Sequence, residues 1–150
     1  LPIAKKTIAD AAFWDTSGLV VLAIDQRGSA KARAIRRATG SATAWWGSHV
    51  EAASAFARLV REGALSLAKL ADAERKLDAV LGNAFEILPS DVVRDRARQL
   101  VHAYPLRAGD ALQLAAALAS VSDRPRGRVF VTFDTRLAAV ARAVGFDVRP

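Results

Sequence analysis

Short apolar runs with β character alternate along the chain with longer stretches of helical period, a pattern that restricts the fold to a parallel sheet with helices on its faces. The runs at 11–14, 43–46, 85–88, 128–132 and 146–148 read as strands, and 18–24, 30–38, 49–61, 66–81, 91–103, 110–120 and 135–144 as helices. Punctuation supports this reading: Gly63 and Gly145 stand where helices should stop, Ser48 and Ser90 at N-caps, and Pro125-Arg126-Gly127 in a loop. The expected fold class is α/β, a three-layer α/β/α sandwich with a central, mainly parallel sheet. Such sheets bind ligands outside the carboxyl ends of their strands.

With 150 residues, 52% of them apolar, the chain can bury a sizeable core, and 1–150 is expected to be one domain without repeats or long linkers. It contains no methionine, so Leu1 is expected not to be the first translated residue, and residues 1–6 to be trimmed, appended or flexible. The longest apolar stretches, 19–24 and 114–119, fall far short of the roughly 20 residues that cross a bilayer, and no secretory leader is evident. A cytoplasmic protein without membrane partners is expected. The absence of cysteine excludes disulfides, zinc ribbons, thiol nucleophiles and iron–sulfur ligation, leaving oxygen ligands or the two separated histidines, His49 and His102, for any metal. A net charge of +7, from 22 Lys and Arg against 15 Asp and Glu, favours a polyanionic partner, since phosphate neutralisation releases counterions. The plain alternative is a solvated arginine-rich surface.

Four acids fall at handovers from strand to helix: Asp15, Glu51, Asp110 and Asp134. Each has an ordinary structural explanation. Asp15 and Asp134 could cap the helices that follow them. Ser48-His49-Val50-Glu51 matches the S-x-x-E capping box, and Asp110 could be a dipole partner in a first helical turn. Taken together they say more, because a doubly wound sheet gathers strand ends and helix starts in one crevice, where unpaired carboxylates repel. Magnesium or manganese would relieve that repulsion, since hard cations take oxygen ligands and leave positions open for a phosphate. A basic chain with such a site suggests a nuclease.

Other residues are given ordinary roles. His49-Val50-Glu51 echoes the H-x-E of zinc deaminases, but the cysteines of that site are missing. Trp14, Trp45 and Trp46 are expected in the core or at a dimer contact. Neither G-x-x-x-x-G-K-[ST] nor G-x-G-x-x-G occurs, so phosphate-loop and dinucleotide readings lack support.

The stretches Trp14-Asp15-Thr16-Ser17, Ser48-His49-Val50-Glu51, Leu106-Arg107-Ala108-Gly109-Asp110-Ala111-Leu112-Gln113-Leu114-Ala115 and Phe130-Val131-Thr132-Phe133-Asp134-Thr135-Arg136-Leu137 together resemble the PIN domain. Within it they resemble the VapC-type toxins of toxin–antitoxin modules. All four acidic positions of the family are occupied. The resemblance implies a metal-dependent endoribonuclease, with RNA as substrate, a VapB-like protein antitoxin as inhibitor, and a homodimer as assembly.

On this reading Asp15, Asp110 and Asp134 coordinate one or two Mg2+ or Mn2+ ions, and Glu51 either coordinates too or orients and deprotonates the attacking water. Ser17 and Thr132 would support these ligands through hydrogen bonds or touch the phosphate, and Arg107 would meet a phosphate. Segment 26–50 has five basic residues and no acid, and Arg33, Arg36 and Arg37 share one helical face, a candidate track for the RNA backbone. Arg124, Arg126 and Arg128 form a smaller basic patch. Three rival readings remain. An aspartyl-phosphate phosphatase would want a second acid where Ser17 stands, a non-catalytic RNA- or protein-binding module would use the acids only as caps, and a PIN nuclease of RNA maturation or decay would not be a toxin.

Overall fold

The computed structural model describes residues 7–150, so the expectation for residues 1–6 lies outside the described residues. After a short 3-10 turn at Ile8–Asp10 the order is β1 (Ala12–Trp14), α1 (Thr16–Ala23), α2 (Ser29–Thr39), β2 (Ala42–Trp45), α3 (Ser48–Arg61) and α4 (Leu67–Gly82). There follow β3 (Phe85–Ile87), α5 (Asp91–Ala103), α6 (Ala108–Ser120), β4 (Val129–Val131), α7 (Thr135–Val144) and β5 (Asp147–Arg149).

Successive strand residues point to opposite faces, and the composition of each strand follows that rule. Phe13, Trp45 and Phe130 enter one core with Val93, Leu114 and Leu137 from α5, α6 and α7. Ala12, Trp14, Ala42, Ala44 and Val131 enter the other, against Leu19, Phe56 and Leu77 from α1, α3 and α4. Both faces of the sheet are therefore covered, which gives the three-layer sandwich. Phe13 and Phe130 stack at 5.4 Å across the β1–β4 pair, and burying each such ring contributes roughly 1.5–3 kcal/mol. No helix among the described residues is long and apolar enough to cross a membrane.

All five strands are parallel, in the order β3-β2-β1-β4-β5. The chain winds outward from β1 through β2 to β3, then returns to place β4 on the other side of β1. That reversal leaves a crevice beyond the carboxyl ends of β1 and β4, where ligands bind in sheets of this type.

Several boundaries differ from the sequence reading for local reasons. α1 begins at Thr16 because the Asp15 carboxylate accepts the Gly18 N–H at 3.1 Å as a true N-cap. α6 begins at Ala108, which puts Asp110 at its third position. Ser66, read as helical, is the N-cap of α4 and accepts from the Lys69 N–H, while Ser90 caps α5 as expected. Ser48 is not an N-cap: Gly47 takes that place, and Ser48 is a fully buried residue of α3. β2 ends at Trp45, and Trp46 emerges half exposed while Trp14 and Trp45 are core residues.

Candidate active site

The crevice gathers all four acids. Asp15 follows β1 directly, Asp134 follows β4 after Thr132-Phe133, Glu51 lies in the first turn of α3, and Asp110 in the first turn of α6. Glu51, Asp110 and Asp134 line one open cleft of about 490 Å³ with Arg107, Gly109 and Arg136. Asp15 is 4% exposed and off that lining, and the charge of Asp134 couples it to the cleft.

Hydroxyls at the strand ends fix Asp15. Its Oδ1 accepts from Ser17 Oγ at 2.6 Å and from the Gly18 N–H, and its Oδ2 accepts from Thr132 Oγ1 at 2.8 Å. Both hydroxyls also accept a backbone N–H from the loop after β4: Ser17 from Phe133 at 2.8 Å, and Thr132 from Asp134 at 3.1 Å. The hydroxyls thus tie the β1 end to the β4 end. Asp134 caps α7 through Oδ1, which accepts from the Leu137 N–H at 2.8 Å. The ordinary capping explanation holds for Asp15 and Asp134, yet a carboxylate offers about four acceptor positions, and one cap does not exhaust them.

Glu51 is held quite differently from the capping box suggested by its sequence. Its Oε2 accepts from Thr16 Oγ1 at 3.2 Å and from Gln113 Nε2 at 3.3 Å. Gln113 is 1% exposed, and its Nε2 also approaches Thr16 Oγ1 at 2.8 Å and Ser48 Oγ at 3.0 Å. One buried amide therefore joins α1, α3 and α6. Among the described residues Glu51 Oε1 and Asp134 Oδ2 accept no hydrogen bond. The inward oxygen of Glu51 is tied and the outward one is free.

Electrostatics link the acids as neighbours. Burial raises the Asp15 pKa from 3.8 to about 6, opposed by the hydrogen bonds from Ser17, Gly18 and Thr132, and the Asp134 charge raises it further. Burial also raises Glu51, with Asp110 adding to it, and raises Asp110, with Asp134 adding and Arg107 and Arg136 opposing. The repulsion runs from Asp15 to Asp134 to Asp110 to Glu51. Among the described residues, no three histidine or acidic side chains converge closely enough to cage one ion. The donor set is a row of adjacent pairs, which suits magnesium, an ion commonly held by one or two carboxylates and otherwise by water.

The remaining candidates are more dispersed. Arg107 reaches the cleft, and Arg136, which sequence reasoning missed, joins it from the Phe-Asp-Thr-Arg run. Arg33 pairs with Asp25 at 3.6 Å, and neither it nor Arg36 nor Arg37 lines the acidic cleft. Arg128 is engaged by Asp10 at 2.9 Å. His49 stands 3.6 Å from Glu86, and neither it nor His102 lines the cleft. The role of Gln113 was also missed, although a lone amide within Ala-Leu-Gln-Leu-Ala-Ala-Ala was its visible signal.

A family model described as PIN domain matches residues 12–143, which include all four acids and every strand but β5. The chain belongs to the PIN domain family. It is 33% identical over 138 residues to Ribonuclease VapC45 of Mycobacterium tuberculosis strain CDC 1551 / Oshkosh, with 92% of this chain and 94% of that protein covered. It is similar in the same measure to Ribonuclease VapC49 of M. tuberculosis strain ATCC 25618 / H37Rv. The PIN fold is also matched by the crystal structure of PAE2754 from Pyrobaculum aerophilum. The TM-score is 0.62 at 23% identity, covering 91% of this chain and 83% of that one.

Proposed function

We propose that this chain is a metal-dependent endoribonuclease, a single PIN nuclease domain acting in the cytoplasm as the toxin of a type II toxin–antitoxin pair. The observation that carries the reading is the row of mutually repelling carboxylates at the sheet's switch point, flanked in one cleft by Arg107 and Arg136. The names and coverage of the two mycobacterial ribonucleases support the substrate and the biological role.

Asp15, Asp110, Asp134 and Glu51 would hold one or two Mg2+ or Mn2+ ions. When bound, the metal supplies charge neutralisation at the phosphate and a water more readily deprotonated at neutral pH. Glu51 Oε1 is the oxygen left to coordinate, or to orient and deprotonate the attacking water, because Oε2 is committed to Thr16 and Gln113. Ser17 and Thr132 keep Asp15 in place, and their bonds favour its ionised form against the burial that opposes it. Arg107 and Arg136 neutralise phosphate oxygens at the cleft mouth. Arg33, Arg36 and Arg37 form an outlying track for the RNA backbone.

The same reading pairs the toxin with a VapB-like protein antitoxin and makes it a homodimer. A self-contact is supported at the junction where the Trp46 N–H donates to the Ile87 carbonyl at 3.0 Å. On the segments that continue from this hydrogen bond Trp46 is 50%, Val50 71%, Leu88 61% and Val92 69% exposed, apolar surface that a second copy would cover.

The deciding experiment is cleavage of RNA by the purified chain with magnesium or manganese, with and without chelator, alongside Asp15→Asn and Asp110→Asn. Cleavage should require metal and both carboxylates. Metal-independent cleavage, or full activity in either variant, overturns the mechanism. Growth arrest on expression, relieved by a co-expressed antitoxin, tests the toxin role, and cleavage without arrest points to RNA maturation or decay.

A further inference from the structure

Glu51 is a wall of two compartments. Beyond it from the acidic cleft lies an open recess of about 650 Å³, lined by Arg27, Lys31 and Arg58 together with Thr16, Ser17 and Phe133. Glu51 is the one acidic side chain on that lining, and none of the three basic residues pairs with a carboxylate among the described residues. Arg33, on the same helix as Lys31, does have such a partner in Asp25. Three cations without an ion-pair partner, on a lining that also includes Glu51 and Pro150, are an anion-binding arrangement.

Their placement is built into the fold. The Ser29 hydroxyl donates to the Ile24 carbonyl at 2.8 Å and accepts the Gln26 N–H at 2.9 Å, closing the loop that presents Arg27. Gly28 follows at φ +94°, and a Cβ there would stand 2.9 Å from the Phe133 ring. The glycine therefore lets the loop lie against Phe133, bringing an aromatic ring to the basic wall. Phe133 is itself anchored to the reaction side by its N–H bond to Ser17. Cations for the backbone beside an aromatic ring for bases are the ingredients of a single-strand site.

We propose that Arg27, Lys31, Arg58 and Phe133 form a holding site for single-stranded RNA on the far side of Glu51 from Arg107 and Arg136. This rests on the ribonuclease reading above. The substrate strand then crosses the row of carboxylates, gripped by cations on both flanks, and the scissile phosphate lies between two held segments. Such a grip favours internal cleavage over trimming from an end.

The test measures binding apart from catalysis. A fluorescein-labelled single-stranded RNA of mixed sequence is titrated with the full chain in chelator at several salt concentrations, and its cleavage is measured separately with magnesium. The variants are Lys31→Glu/Arg58→Glu, Phe133→Leu and the charge control Arg98→Glu on α5, which lines neither compartment. The double variant should weaken binding about tenfold or more near 0.15 M salt and lower the salt slope by about 2, as expected for two lost phosphate contacts. Phe133→Leu should weaken it severalfold with the slope unchanged, since stacking is not salt-dependent in that way. Arg98→Glu should change binding less than threefold. Equal weakening per reversed charge in Arg98→Glu and the double variant would reduce the effect to net charge and overturn the site. If the double variant binds and cleaves RNA normally but escapes inhibition by the antitoxin, the recess is a protein contact and the proposal fails. If the parent binds RNA through these residues yet never cleaves it, the holding site stands and the nuclease reading falls.

Discussion

Gln113 on α6 donates from Nε2 to Glu51 Oε2 on α3 at 3.3 Å, across 62 residues of chain. The same nitrogen reaches Thr16 at 2.8 Å and Ser48 at 3.0 Å, so its two N–H bonds are shared among three oxygens, and Thr16 and Gln113 together leave Glu51 one tied and one open oxygen. Replacing Gln113 by Leu strands buried acceptors, which typically costs about 1–3 kcal/mol per site. Urea unfolding should report that loss. Gln113→Glu instead sets a second carboxyl about 3 Å from Glu51, where two charges cannot both persist and the pair retains a proton at neutral pH. RNA cleavage should fall by about 10²-fold or more while far-UV circular dichroism stays native. Full activity in Gln113→Glu would show that the retained proton does not reach Glu51 and would overturn this prediction.

Asp15 makes stability depend on pH with a definite sign. Its folded pKa, about 6, lies above the unfolded value of 3.8, so the folded state binds the proton more tightly. The resulting stability is fully present below pH 3.8 and is lost as pH rises through about 6, a change of roughly 3 kcal/mol at about 1.4 kcal/mol per pH unit. Asp15→Asn lacks this term. In chelator, the variant should gain on the parent from pH 4 to pH 8, and urea midpoints that track each other across that range would refute the assignment. Magnesium at pH 8 should then raise the parent's midpoint by more than the variant's, which keeps Glu51, Asp110 and Asp134 but lacks the Asp15 carboxylate.

How much of this was legible in the sequence depends on whether a signal is local. The alternation of Ala12, Phe13 and Trp14 between two cores follows from strand geometry, and the four acids could be placed because strand ends converge in a doubly wound sheet. Ser48 was misread because S-x-x-E is a local pattern, whereas its actual partner, Gln113, lies 65 residues away. Arg33, Arg36 and Arg37 were correctly seen as a helix face, but helical period does not say which end of α2 meets the crevice. The loop locked by Ser29 decides that, and it favours Arg27 and Lys31.

The exposed apolar junction predicts self-association. With Val50 and Leu88 largely exposed on segments linked by the Trp46–Ile87 hydrogen bond, Val50→Glu/Leu88→Glu would place four like charges across a two-fold contact. Sedimentation should show the parent as a dimer and this variant as a folded monomer. A parent that is monomeric at micromolar concentration, or a variant that still dimerises, excludes this face.

Ser17 is the strongest of the hydrogen bonds that hold the Asp15 pKa down, and it donates at 2.6 Å. Ser17→Ala leaves burial in place and removes part of what opposes it, so the Asp15 pKa should climb further. It also leaves the Phe133 N–H without its acceptor, loosening the tie between the β1 and β4 ends. Metal ligation needs the ionised carboxylate, so a proton at Asp15 competes with the ion. The acid limb of the pH profile for RNA cleavage should therefore begin near pH 6 in the parent and shift upward by about half a unit or more in Ser17→Ala, with activity recovering at high pH. Raising the magnesium concentration should pull that limb back down in both proteins, because ion and proton contend for one group. If Ser17→Ala lowers the rate equally at every pH, the hydroxyl serves only to pack the crevice and its influence on Asp15 is disproved.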